Sequence, residues 1–119
     1  GFIGRLFKLI GGRLPPPAGL KSPALWGTES RIVELFGTRA EEIRCVRRHF
    51  NFRYRSTAHW LQIFGDYYGP TLKAFAALDV AARARLEADI TALLDELNVA
   101  GPDSLVVPAE YLEVVIATA

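Results

Sequence analysis

Apolar and polar residues alternate from Phe50 to Arg55, placing Phe50, Phe52 and Tyr54 on one face and Asn51, Arg53 and Arg55 on the other. A period of two predicts a half-buried strand. Ser56 follows as a helix N-cap, and from Trp60 the pattern turns helical through Leu61, Ile63 and Phe64. Upstream, Ile43 and Cys45 carry the strand back to Glu42 on the opposite parity to Phe50. This phase change predicts a bulge or bend near Arg47-Arg48-His49. At the C-terminus, Tyr111 to Ala117 is almost continuously apolar and β-branched, which predicts a strand covered on both faces.

The helices follow from spacing and punctuation. Phe2, Ile3, Leu6, Phe7 and Ile10 recur at helical intervals until Gly11-Gly12 stops them. Leu14 to Gly19 holds three adjacent prolines and reads as a stiff, extended connection. Thr28 caps a short helix that buries Ile32, Val33, Leu35 and Phe36 and leaves at Gly37. Asp66 to Pro70 interrupts the aromatic helix, and helicity resumes at Thr71. Asp79 caps a helix of about five turns with Leu86, Ile90, Leu93, Leu94 and Leu97 on one side. The Gly-Pro loop within 98–103 ends it. The predicted fold is therefore α+β: an antiparallel strand pair, about 43–55 and 110–118, packed with four to five helices as a single domain over 1–119. A bare two-stranded sheet invites a further strand at its edges, so a homodimer of the isolated chain is expected.

Composition narrows the functional classes. The 119 residues are half hydrophobic with a formal net charge of +1, which gives no global pull toward nucleic acid or an anionic membrane. No run approaches the roughly 18 apolar residues of a membrane span. Arginines and aromatics interleave along 44–55, but Glu41 and Glu42 and the low net charge weigh against a nucleic-acid strand. One cysteine, Cys45, excludes an internal disulfide and suits a reducing, cytoplasmic location. That cysteine with His49 and His59 falls short of a closed zinc site. Gly11-Gly12 follows a helix, so it is no phosphate loop, and no catalytic triad can be assembled. The chain has no methionine, even at position 1, and the expectation is a piece of a longer protein.

Two stretches carry more specific wording. Pro15-Pro16-Pro17-Ala18-Gly19-Leu20-Lys21-Ser22-Pro23-Ala24-Leu25-Trp26-Gly27-Thr28-Glu29 resembles the segment after the fifth strand of bacterial class I S-adenosylmethionine-dependent methyltransferases of the small-molecule, ubiquinone/menaquinone-biosynthesis-like type. Phe52-Arg53-Tyr54-Arg55-Ser56, with Trp60, Phe64, Tyr67-Tyr68-Gly69-Pro70-Thr71 and Phe75, is similar to their sixth strand and the helices inserted after it. Tyr111 to Thr118 is similar to their seventh strand, which runs antiparallel to its neighbours. The resemblance implies a C-terminal segment lying beside the methyl-acceptor pocket, with Trp26, His59, Trp60, Tyr67 and Tyr68 nearest the acceptor. It implies S-adenosylmethionine as cofactor of the parent enzyme only. The family's Gly-rich turn after the first strand and the acidic residue after the second have no counterpart here, so no cofactor ligand, metal ligand or catalytic residue is assigned. The alternative is a standalone dimerising or binding module without catalytic activity.

Overall fold

The computed structural model describes residues 1–118. In chain order they form α1 (Phe2–Gly11), a 3-10 turn (Pro23–Gly27), α2 (Glu29–Phe36) and a second 3-10 turn (Gly37–Arg39). Then come β1 (Ala40–Tyr54), α3 (Thr57–Tyr67), α4 (Gly69–Ala77), α5 (Val80–Leu97) and β2 (Leu105–Thr118). The fold is α+β: β1 and β2 pair antiparallel in one two-stranded sheet, accompanied by five α-helices.

Local chemistry explains the helix starts. The Ser56 hydroxyl accepts from the His59 backbone N–H, and the Asp79 carboxylate accepts from that of Ala82, so both expected N-caps form. Thr28 occupies the N-cap position of α2 but makes no capping bond; its hydroxyl donates backward to the Leu25 carbonyl. Pro70 stands in the first turn of α4, where a missing N–H costs nothing, so the break falls at Tyr68 rather than at the proline. Thr71, fully buried, fastens this corner by donating to the carbonyls of Phe64 and Tyr68.

The core lies between one face of the sheet and four helices. Phe2 and Leu6 of α1, Trp60 and Phe64 of α3, Phe75 of α4, and Leu86, Ile90 and Leu94 of α5 meet Leu105, Val107 and Ala109 of β2. Phe52 and Tyr54 of β1 pack on the same cluster. Arg5 holds Glu96 through two bonds, and Arg13 and Thr57 bond Asp89 and Asp95, tying α1 and the start of α3 to the outer side of α5.

Two expectations about the strands need correction. The register runs unbroken from Glu42 opposite Ala117 to Tyr54 opposite Leu105, and the irregularity lies between Ala40 and Glu42 instead of near Arg47–His49. Near Tyr54 the ladder buries the face of Leu105, Val107 and Ala109. Toward Ala40 it half-buries the other face, through Ile43, Cys45, Leu112, Val114 and Ile116. Two-stranded ribbons twist strongly, so different helices reach opposite faces without an inserted residue. For the same reason Tyr111–Ala117 is not covered on both faces: Tyr111 and Val115 are exposed, as are Val46 and Phe50 beside them. The strand also begins earlier than expected, at Leu105, and its first five residues are its best-buried part.

One face of the far half of the ladder is exposed, at Val46, Tyr111 and Val115. The radius of gyration is 16.8 Å, against roughly 13.5 Å for a compact domain of this length.

Candidate functional site

The five residues assigned to an acceptor site occupy four different environments. Trp60 is fully buried, stacked on Phe64 at 3.9 Å between ring centroids and meeting Phe2 edge-on at 5.7 Å. Its position at the centre of the core follows from spacing: Trp60, Phe64 and Tyr68 stand four apart and share the inward side of α3. Tyr68 is half-buried against Phe64, at 4.8 Å, and desolvation raises its phenol pKa above the usual value. Tyr67, one residue off that stripe, turns outward and is 79% exposed.

His59 sits in the first turn of α3. Its Nδ1 accepts from the Arg55 backbone N–H at 3.3 Å, and its ring lies edge-on to Tyr54 at 5.5 Å. Nδ1 is therefore engaged as an acceptor, which leaves Nε2 to carry the proton of the neutral ring. His59 lines a shallow concavity with Tyr54, Arg55 and Leu105.

Trp26 lies elsewhere. It is 56% exposed, tilted against Phe36 at 6.2 Å, and lines a half-open concavity of about 430 Å³ with Ile3, Phe7, Arg47, Tyr111 and Leu112. The walls of this depression are mostly apolar with a few polar groups, and it is shallow and open, unlike an enclosing small-molecule pocket. Its walls come from α1, the first 3-10 turn and the middle of both strands, segments that only the tertiary fold brings together. Trp26 and His59 thus line separate depressions.

The arginine-rich strand is largely neutralised in place. Arg48 grips Glu113 through two bonds of 2.8 and 2.9 Å, Arg47 reaches Glu110 at 2.9 Å, and Arg44 lies 3.4 Å from Glu42. Two of these pairs bridge β1 and β2. Arg47 and Arg48 are thus cross-strand staples. Among the described residues, no cluster of three or more His, Cys, Asp or Glu side chains is arranged to hold a metal ion. No helix among them is long and apolar enough to cross a membrane.

These staples predict a pH response. Hydrogen bonding from Arg48 lowers the Glu113 pKa, Arg5 does the same for Glu96, and Arg31 with Lys21 holds Glu34 down at about 2. Each carboxylate binds its proton less readily when folded than at its ordinary 4.5, so its stabilisation is present above that pH. It is lost as the pH falls through the folded value. All three pairs are solvated, so the effect is modest and screened by salt. Thermal melts at constant ionic strength should show the midpoint falling between about pH 5 and pH 2, less steeply in Glu113→Gln. A midpoint that rises over that range contradicts this.

Comparison of the chain with protein-family models found no match, and comparison with curated proteins found none either.

Proposed function

We propose that this chain is the substrate-side, C-terminal segment of an S-adenosylmethionine-dependent methyltransferase acting on a small molecule, and that it is inactive by itself. The observation that carries the reading is the path β1–α3–α4–α5–β2. Three helices leave and return between two antiparallel neighbours, the arrangement that the wording around Phe52–Phe75 and Tyr111–Thr118 implies for that family. A two-stranded ladder of 15- and 14-residue strands is also more sheet than this helical cluster covers, which suits a sheet that continues in a larger protein.

The residues present do not fit the cofactor. β1 passes through Arg55 and Ser56 directly into α3, with no glycine turn to admit a nucleotide, and no step of methyl transfer is assigned to this chain's groups. Its share is to shape access for the acceptor. Tyr67 and Tyr68, at the corner between α3 and α4, are the residues placed against it, and His59 offers a hydrogen-bonding Nε2. Trp60 serves this site from behind, by seating α3 on the core. Trp26 would reach an acceptor only through the separate depression it lines.

The test is a transfer assay on the protein translated from the whole reading frame, with any small acceptor that supports turnover. Tyr67→Ala and Tyr68→Ala should each raise KM for the acceptor by about tenfold and leave KM for S-adenosylmethionine within about twofold. An unchanged acceptor KM in both variants contradicts the assignment. A second reading, a standalone dimerising or binding module, is favoured by the exposed apolar residues Val46, Phe50, Tyr111 and Val115 on one face of the ladder.

A further inference from the structure

The hydrogen-bonding directions of the ladder reveal which edge is open. The Val106 N–H donates to Asn98 Oδ1 and its carbonyl accepts from the Val99 N–H, both at 2.9 Å, so both backbone groups of Val106 point away from β1. In an antiparallel ladder this orientation alternates, and the register is continuous. Pro108, Glu110, Leu112, Val114 and Ile116 therefore also face outward on β2. On β1 the outward set is Ile43, Cys45, Arg47, His49, Asn51 and Arg53. Pro108 confirms the parity, because a residue without an N–H is tolerated in a strand where that group would face away from the ladder.

The two edges differ in chemistry. The β1 edge carries Arg53, which forms no ion pair among the described residues, and the long side chains of Arg44, Arg47 and Arg48 stand on or beside it; such residues guard an edge against further pairing. Along β2, Val106 is already satisfied by the loop, Pro108 has no donor, and the backbone of Glu110 abuts Gly1. The outward groups of Leu112, Val114 and Ile116 have no hydrogen-bond partner among the described residues. They are three consecutive positions with apolar side chains and no backbone partner, Leu112 also lining the concavity beside Trp26, and the single carboxylate between them, Glu113, is neutralised by Arg48.

We propose that Leu112–Ile116 of β2 pairs antiparallel with the same segment of a second copy, about a two-fold axis at Val114. In that register Val114 faces the partner's Val114 and Leu112 faces the partner's Ile116, each pair exchanging both N–H···O bonds. On the other face Glu113 meets the partner's Val115 and Tyr111 meets the partner's Ala117, so no like charges are opposed. The contact is isologous and closes, joining two ribbons into one four-stranded sheet. It stands on the ladder geometry and concerns the 119-residue chain by itself, since a parent sheet continuing from β2 would occupy the same edge.

The test uses the 119-residue chain: sedimentation velocity from about 1 to 100 μM, with amide hydrogen exchange followed by NMR. The expected result is a dimer in which the amides of Leu112, Val114 and Ile116 exchange at least about 100-fold more slowly than the outward amides of Ile43, Cys45 and Arg47. Val114→Pro, which deletes one outward donor as Pro108 already does, should give a monomer with an unchanged circular dichroism spectrum. A wild-type monomer throughout that range overturns the proposal. So does a dimer whose slow outward amides lie on β1, or a folded Val114→Pro dimer. If Val114→Pro does not fold, the wild-type exchange pattern decides.

Discussion

Trp60→Ala should cost about 3–5 kcal/mol of folding stability. The ring is fully buried, stacked on Phe64 within α3 and edge-on to Phe2 of α1, so truncation removes both aromatic contacts at once and leaves a cavity in the core. Its Nε1 has no hydrogen-bond partner among the described residues, and an unpaired buried donor is itself unfavourable. Trp60→Phe removes that donor while keeping much of the ring, so it should cost only about 1–2 kcal/mol. Urea titrations at a fixed protein concentration measure both through the transition midpoint. Equal losses in the two variants, or no loss in Trp60→Ala, would contradict the placement of this ring at the centre of the core.

Asn98→Ala should cost about 2–4 kcal/mol, a large effect for a half-buried polar residue. Its side chain carries four hydrogen bonds: Nδ2 donates to the carbonyls of Gly101 and Ser104 at 2.8 Å, and Oδ1 accepts from Ala100 and Val106 at 3.0 and 2.9 Å. One amide thus closes the loop from α5 to β2 and sets where β2 begins. Gly101, at φ +81°, supplies the left-handed turn that the loop needs. Asn98→Asp keeps the two acceptor bonds but sets a carboxylate oxygen against the carbonyls of Gly101 and Ser104, so it too should be clearly destabilised. The same urea titrations would show this, and an aspartate variant as stable as wild type would contradict the bond assignment.

Asn98 also shows where sequence reading ends. As the residue after an amphipathic helix and before a Gly-Pro loop it reads only as a helix stop, because its partners lie up to eight residues ahead and depend on the loop's path. The starting residues of β2 were hidden for a related reason. Pro108 argues against a strand until the outward direction of its missing N–H is known. By contrast, the caps at Ser56 and Asp79 and the buried stripe of α5 were legible, since each depends on neighbours within one or two turns. The phase change along β1 was legible too, but a twisting ribbon that buries opposite faces at its two ends produces the same pattern as a bulge. Among the candidate site residues, the four-residue spacing of Trp60, Phe64 and Tyr68 separates the inward rings from Tyr67. The depression beside Trp26 draws its walls from segments far apart in the chain, and local patterns carry no trace of it.

The most direct test of the functional account is to sequence the gene upstream of the codon for Gly1. The account predicts about 130 in-frame residues that include a strand, a Gly-rich turn and a helix, the half that would hold S-adenosylmethionine. A start codon or an in-frame stop immediately upstream would contradict it, and the chain would then be read as a binding module in its own right.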